Sequence, residues 1–349
     1  MEVSLSIFLK KYNMFYKCLK CNKTWPYNIK KCPSCFEEIV KIESNEMNVI
    51  ACSKINIPTF LHPNIPYFVL LVEDENNNKY VYKSFTEKKI GEKVSYDKID
   101  NAVAIWRKKY DFEEAIRKTL DLINNPIQEN TKILILPTLI SPNHEYLREN
   151  TSSDFIDSVL KIVLEKTPKE NIKIVGQSFN DVPIEASAQK SGLLDTCLKY
   201  NIIPEDLSKD VFIKQNNLEI SEQAIKADLI INLPIMKIGK ISATENLFKL
   251  LSKNSYSALK YLQSEPEEII IKQINETFSN KVLTIAEADV VQGIDKFNRY
   301  LGLVLASKNY SDIDKVFDVL TMHKDIDINN ISIVGRDIKE VQHNTENIC

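Results

Sequence analysis

The sequence predicts a multi-domain protein, in which a small four-cysteine ribbon and a small OB-type β-barrel precede an α/β domain with a mainly parallel sheet. Three observations predict this class. Two pairs of cysteines lie near the start of the chain, within residues 18–35. Short β-rich segments without a helical pattern occupy residues 43–97, as in small barrels. Strand and helix patterns then alternate from residue 101 onward, which is typical of an α/β domain.

The same patterns give the expected domain boundaries. We expect the ribbon and an N-terminal segment within residues 1–42, the OB-type barrel within 43–100 and the α/β domain within 101–340. Residues 341–349 are polar and are expected to form a frayed tail.

Composition and charge exclude several classes of protein. The chain of 349 residues is 44% hydrophobic and 27% charged, which is typical of a globular protein. Its net charge of -3 argues against non-specific nucleic-acid binding by the whole chain. The seven glycines lie far apart, so neither a dinucleotide-binding fingerprint nor a P-loop can be drawn. Lysines interrupt the short apolar run at the N-terminus and no long apolar stretch follows, so we expect a cytoplasmic protein without a membrane segment.

The four clustered cysteines are the most specific motif of the sequence. Cys18 and Cys21 form a C-x-x-C pair, and ten residues later Cys32 and Cys35 form a C-P-x-C pair. Four thiolates in tetrahedral arrangement suit zinc, with iron in a rubredoxin-like centre as the alternative. We expect a structural zinc site, because four cysteine ligands leave no coordination position for a reacting water.

The α/β region begins with an amphipathic helix after the strand pattern "AVAIW". Its apolar residues Phe112, Ile116, Leu120 and Ile123 share one face. Asp111, followed three positions later by a glutamate, predicts a capping box. Later segments such as "KILILP", "IKIVG" and "DLIINLP" read as buried strands separated by helices.

The loops after these strands are the expected place of a ligand site, because ligands of open α/β sheets lie beyond the carboxyl ends of the strands. Lys237, with Thr244 and Asn246 at the start of the next helix, is a candidate for binding an anion. Asn180 and Asn232 are further candidates for binding the substrate. The alternative interpretation is that these are ordinary surface residues.

Three carboxylates and a histidine follow strands at the same expected edge. Asp181 and Asp289, together with Lys237, are the candidate catalytic residues, and Glu287 lies beside Asp289 in sequence. Carboxylates at one edge can act as a general base or bind a cation. His144 follows the first of these strands. The alternative is that the acids cap helices or face water.

Two resemblances to known families bear on function. The segments "CLKC", "CPSC", "NVIACSKINIP" and "PYFVLLVEDENNNKYVYKS" resemble domain-of-unknown-function family 35, over residues 10–97. This resemblance implies handling of acyl-coenzyme A, or bridging of a thiolase-like or acyl-carrier enzyme partner. The segments "KILILPTLISP", "ADLIINLPIMK", "TENLFKLL" and "LGLVLAS" resemble domain-of-unknown-function family 362, over most of residues 102–340.

The chain departs from the second family's usual pattern at three points. Leu136-Pro137-Thr138 stands where the family has Lys-Pro-Asn, and Ile238-Gly239 follows Lys237 where the family has Lys-x-His. The ferredoxin-like cysteine cluster that often accompanies the family does not occur in this sequence. Iron-sulfur electron transfer therefore has little support.

Three functional hypotheses follow. In the first, the chain handles an acyl thioester: the zinc-ribbon and barrel part docks or binds the carrier, and the α/β part binds or converts a small anionic substrate. In the second, the barrel binds single-stranded nucleic acid, which the acidic net charge disfavours. In the third, the chain is a non-enzymatic scaffold that bridges partner enzymes.

Overall fold

The chain divides into two compact units, which are described one after the other. The first comprises Met1–Ile99 with Ser332–His343, and the second Asp100–Ile331 with Asn344–Cys349. The boundaries predicted from the sequence, at residues 42/43, 100/101 and 340/341, stay predictions. The computed structural model describes every residue except the following: 1–13, 26–28, 44–45, 58–64, 75–76, 85–86, 96–101, 124, 179–181, 216–217, 262–266, 279–280, 323–325, 329, 337 and 346–349.

The first unit contains two small antiparallel sheets. One has the strand order β2-β1-β3 and carries the cysteines, and the other has the order β6-β5-β4-β7. Their strands are β1 (Met14–Cys18), β2 (Thr24–Trp25), β3 (Ile39–Glu43), β4 (Glu46–Ile55), β5 (Tyr67–Asp74), β6 (Lys79–Ser84) and β7 (Lys93–Ser95). Among the described residues, no pairing between β6 and β7 closes the four-stranded sheet into a barrel.

The hairpin β5–β6 follows directly from the sequence. Phe68, Leu70 and Val72 alternate along β5 and are buried, which is the period of a strand with one covered face. At the turn, Asn77 adopts a left-handed backbone with φ of 61°, which asparagine tolerates. The Asp74 carboxylate accepts a hydrogen bond from the amide of Asn78 at 2.8 Å and fixes the turn.

The second unit is an α/β domain whose elements alternate as the sequence predicts. Its strands are β8 (Ala102–Arg107), β9 (Ile133–Pro137), β10 (Ile172–Gly176), β11 (Glu205–Asp206), β12 (Phe212–Gln215), β13 (Leu218–Ser221), β14 (Leu229–Leu233), β15 (Ile235–Lys237), β16 (Val282–Gln292) and β17 (Asn298–Ser307). Its helices are α1 (Phe112–Leu122), α2 (Ser153–Leu164), α3 (Ile184–Lys190), α4 (Leu193–Lys199), α5 (Glu222–Lys226), α6 (Ser242–Leu247), α7 (Lys253–Tyr261), α8 (Glu267–Thr277) and α9 (Tyr310–Met322).

The main sheet of this unit runs in the order β11-β10-β9-β14-β16-β17-β8, with β15 beside β16. In this order, the neighbouring strands β11, β10, β9, β14 and β16 are parallel to one another. Strand β17 is antiparallel to both of its neighbours. Every residue of β9 and of β14 is buried. Strands buried on both faces occur in parallel sheets covered by helices, so the mainly parallel α/β fold that the sequence predicts is confirmed.

The last described elements are β18 (Ser332–Gly335) and α10 (Ile338–Thr345). The polar tail predicted from residue 341 is therefore helical through Thr345. Val341 is only 4% exposed, and burial of this apolar side chain explains why the segment is ordered as a helix. No helix in the described part of the chain has the length and apolar character needed to span a membrane.

Candidate functional site

A pocket of about 280 Å³ lies beyond the carboxyl ends of β9, β10 and β14. These three parallel strands are neighbours in the sheet, so the loops that follow them meet at one edge. The 3-10 turn Phe248–Leu250 and helix α7 complete the wall. The lining residues are Thr138, Leu139, Ile140, Gln177, Ser178, Ile235, Lys237, Lys240, Ser242, Glu245, Asn246, Lys249 and Tyr256.

Asn246 connects the ends of β9 and β14 beneath this pocket. Its side-chain nitrogen donates to the carbonyl of Leu136 at 2.9 Å and to Asn232 Oδ1 at 2.8 Å, and its oxygen accepts from the Thr138 hydroxyl at 3.0 Å. Asn232 in turn donates to the carbonyl of Ala243 at 2.9 Å. All these side chains are buried and mutually satisfied, so the network fixes α6 against the sheet.

Three lysines reach this pocket. Lys237 ends β15, Lys240 follows it on the surface, and Lys249 lies in the 3-10 turn with an exposure of only 7%. Among the described lining residues, Glu245 is the one carboxylate. Lysine is rarely buried without a partner, so a nearly buried lysine beside two others is an unusual concentration of cationic groups.

Burial changes the acidity of two of these lysines. Desolvation lowers the pKa of Lys249 to about 7, and the neighbouring charge of Lys237 acts in the same direction. Desolvation also lowers the pKa of Lys237, although the carboxylates of Glu149 and Glu245 oppose this shift. Burial therefore favours the uncharged amine of Lys249 over its ammonium form.

The predicted substrate-binding residues occupy different positions around this network. Asn246 lines the pocket, whereas Asn232 lies beneath it. Thr244 faces away, because its hydroxyl donates to Asp314 at 2.7 Å and its amide at 2.9 Å. The start of α6 is thus capped by the chain's own carboxylate. Asn180 lies outside the described residues.

The predicted catalytic residues do not form one group in the described structure. Lys237 lines the pocket, and Asp181 lies outside the described residues. Asp289 is buried on β16 and forms an ion pair with Lys108. Its carboxylate is not among the lining residues of the pocket, so its catalytic role stays a prediction.

Glu287 and His144 also lie apart from the pocket lining. Glu287 is fully buried, accepts the Ser152 amide at 2.9 Å and pairs with Arg148 at 3.3 Å. Burial raises the pKa of Glu287 to about 7, against the hydrogen bond from Ser152 and the charge of Arg148. His144 precedes the 3-10 turn Glu145–Leu147, where its ring lies 5.0 Å from the ring of Tyr146.

Sequence reasoning missed Lys249 and Gln177. Gln177 follows β10, and its side-chain nitrogen donates to the carbonyls of Lys249 at 3.2 Å and Leu251 at 2.7 Å. One signal for Lys249 was present: it is a single charged residue inside the apolar run "NLFKLL". An apolar run that contains one charged residue indicates a buried segment. It does not indicate which groups the lysine contacts.

The four cysteines form a separate site in the first unit. Their sulfur atoms all lie within 4.8 Å of one another, with Cys18 and Cys35 at 3.3 Å and Cys21 and Cys32 at 3.5 Å. Four thiolates around one zinc lie about 3.8 Å apart for Zn–S bonds of about 2.3 Å. The cluster can therefore hold a metal ion, as the motif predicts.

Two matching backbone turns build this cluster. In the first, the amide of Asn22 donates to the carbonyl of Cys18 at 2.8 Å; in the second, the amide of Phe36 donates to Cys32 at 2.8 Å. Asn22 and Phe36 have φ of 58° and 59°, a left-handed conformation that glycine adopts most easily. The turns thus form without glycine. A bulky residue such as Phe36 rarely adopts this backbone conformation, so the arrangement of the cysteines imposes it.

The family model for a domain of unknown function (DUF362) matches residues 133–317. Because this match covers more than half of the 349 residues, the chain belongs to the DUF362 family, as its resemblance predicts. No curated protein matches the chain.

Two solved structures related to DUF35 are similar to part of the chain. One is described as "Ltp2-ChsH2(DUF35) aldolase", with 22% identity and a TM-score of 0.21, covering 24% of this chain and 69% of that one. The other is a protein of unknown function from the DUF35 family of Sulfolobus solfataricus, with 19% identity and a TM-score of 0.19, covering 25% and 69%.

Proposed function

We propose that the second unit binds a small anionic ligand in the pocket beyond β9, β10 and β14. The observation that carries this proposal is the convergence of Lys237, Lys240 and Lys249 on one pocket whose described lining contains a single carboxylate, Glu245. Even when Lys249 is uncharged, two ammonium groups face one carboxylate. A partly enclosed, cationic site strengthens the attraction of a carboxylate or phosphate ligand.

The size and lining of the pocket support a ligand of this class. A pocket of about 280 Å³ suits a small molecule rather than an extended chain. The lining includes the hydroxyl residue Ser242 and the apolar residues Leu139, Ile140 and Ile235. Such a mixture orients a ligand that has a charged end and a short carbon skeleton.

We propose further that the chain handles acyl thioesters, with the four-cysteine unit docking or binding the carrier. This part rests on the resemblance of residues 10–97 to DUF35. In this proposal the metal is zinc and its role is structural, because four cysteine ligands complete a tetrahedral site. The partner would be a thiolase-like or acyl-carrier enzyme.

Calorimetric titration of the full chain tests both parts. The probes are orthophosphate, pyruvate, acetyl-coenzyme A and a single-stranded oligonucleotide, each at low and high salt. We expect Lys237→Met to weaken binding of orthophosphate and pyruvate by roughly tenfold, the loss of one charge-assisted contact. Lys281→Met is the matched control, because Lys281 donates to the carbonyls of Ile225 and Ala227 and does not line the pocket.

Each outcome bears on a different part of the proposal. Failure of both small anions to bind contradicts the anion pocket. Binding of the anions without acetyl-coenzyme A contradicts the thioester part alone. Tight, steeply salt-dependent binding of the oligonucleotide without thioester binding supports the nucleic-acid alternative instead.

A further inference from the structure

Lys249 has the geometry of a nucleophilic amine. The carbonyl of its own residue is held by Gln177 at 3.2 Å, so the backbone that carries the side chain is fixed. Its Nζ donates to the carbonyl of Leu139 at 3.3 Å, which directs the amine toward the loop after β9. An uncharged amine keeps its lone pair while donating one N–H in this way. The residue is 7% exposed and lines the pocket.

The surroundings of Lys249 favour the uncharged form over the ammonium ion. Within the described residues, Lys249 has no ion pair at contact distance, and its Nζ donates to a neutral carbonyl. Lys237, which lines the same pocket, adds a repulsive positive charge, and this effect is larger than the opposite effect of the Glu245 carboxylate. A desolvated lysine next to a second cation is one of the standard ways in which proteins activate an amine for covalent catalysis.

We propose that Lys249 forms an imine with a small carbonyl compound bound in this pocket. The Nζ lone pair attacks the carbonyl carbon, and the carbonyl oxygen takes up a proton to give a carbinolamine. The nitrogen then loses a proton, the oxygen takes up a second one and leaves as water, and the C=N bond forms as an iminium ion, which gives the imine when the nitrogen loses its remaining proton. No oxidant or reductant is consumed. In this proposal Glu245, the carboxylate of the described lining, passes these protons.

The proposed function narrows the class of carbonyl compound. This inference rests on the anion pocket: Lys237 and Lys240 hold a carboxylate, and Lys249 meets a carbonyl carbon a short distance away on the same ligand. A short 2-oxo acid has both groups on adjacent carbons. The site therefore fits a 2-oxo acid, for which pyruvate and glyoxylate are the simplest probes.

Reductive trapping tests the proposal. The full chain is incubated with pyruvate and sodium borohydride, and its mass is measured before and after digestion. We expect the mass of the chain to increase by the mass of one pyruvic acid, minus one water, plus two hydrogen atoms. After digestion, this increase should be found on the peptide that contains Lys249. L-lactate, which has the carboxylate but no carbonyl, should bind without leaving an adduct.

The pH dependence separates Lys249 from an ordinary lysine. Trapping requires the neutral amine, so its rate should rise with pH to a midpoint near 7, the pKa set by burial, instead of near 10. Lys237→Met removes the neighbouring charge and should move this midpoint upward. Lys249→Arg should abolish the adduct, whereas Lys281→Arg, a control outside the pocket, should keep it.

Three results would overturn the inference: no adduct, an adduct on other lysines, or a midpoint near 10. Peptide mapping of the unaltered chain distinguishes these results even when Lys249→Arg fails to fold. Reversible binding of pyruvate and lactate without an adduct refutes the imine but leaves the anion pocket intact. Absence of binding by either refutes the proposed function itself.

Discussion

Glu287 shows how far a single residue can depart from its ordinary behaviour in this protein. Its carboxyl group is fully buried on β16, and burial raises its pKa to about 7. Arg148 and the Ser152 amide stabilise the charged form, whereas nearby Asp289 disfavours it. Desolvation outweighs the two favourable contacts, so the folded protein binds a proton here at pH values where an exposed glutamate is ionised.

Glu287→Gln is expected to change how stability depends on pH. The folded pKa lies above the unfolded value of about 4.3, so the contribution of this group is fully present below that value and is lost as pH rises to about 7. The loss amounts to about 4 kcal/mol. Glu287→Gln has no carboxyl group and lacks this loss. The difference in unfolding free energy, variant minus native chain, should therefore increase as the pH rises through this interval. Urea denaturation at several pH values measures it.

The matched control is Glu276→Gln, because Glu276 is an exposed carboxylate, 55% accessible, on α8. This control should leave the pH dependence unchanged. If the unfolding free energy of the native chain and of Glu287→Gln changed equally with pH, Glu287 would already be ionised in the folded protein.

Helix α1 illustrates how one element is specified locally. The Asp111 carboxylate accepts a hydrogen bond from the Glu114 amide at 2.8 Å, which is the N-cap half of the predicted capping box. Phe112, Ile116 and Leu120 are buried along one face, and the ring of Phe112 packs edge-on against Phe155 at 5.0 Å. Both the start of the helix and its buried face were therefore readable from spacing alone.

Asp111→Ala removes the cap of α1 and should lower the unfolding free energy by about 1 kcal/mol. The amide of Glu114 then has no side-chain acceptor at the helix start. Thermal and urea denaturation measure the change. Asp111→Asn, which keeps an acceptor oxygen, should retain most of the stability. A loss of equal size in both variants would mean that charge, and not the hydrogen bond, supports this end.

At the scale of the whole molecule, the two compact units differ in what holds them together. The first has two small antiparallel sheets and a cluster of four thiols, whereas the second has a large sheet covered by helices. A small module with little core depends on its metal for folding. We expect the second unit, which has the larger buried core, to fold without one.

Metal removal should therefore affect the first unit selectively. We expect one zinc per chain by elemental analysis, and a colourless protein, since an iron centre would be red. Cys32→Ser should abolish metal binding and raise amide exchange in β1 to β7, with little change in β9, β10 and β14. Cys197→Ser, at a buried cysteine outside the cluster, should retain the metal. Retention of one zinc in Cys32→Ser would contradict the site.

The parts of the fold that could be predicted depend on neighbouring residues. The hairpin β5–β6, the cap at Asp111 and the four-cysteine motif each join residues that lie at most 17 positions apart in the sequence. The site was less predictable. Thr244 looked available at a helix start, but Asp314, 70 positions later, already accepts its amide and hydroxyl.

The sequence by itself determined the order and type of the elements and the ligands of the metal site, because periodicity, capping and cysteine spacing act over short stretches of chain. Only the tertiary structure decided which polar groups meet. Asn246 contacts Thr138 across 108 positions, Lys249 contacts Leu139 across 110, and Asp289 pairs with Lys108 across 181. The sheet order brings these residues together, and burial then sets their protonation. For that reason Lys249, one of many lysines in the sequence, is the amine on which our chemical proposal rests.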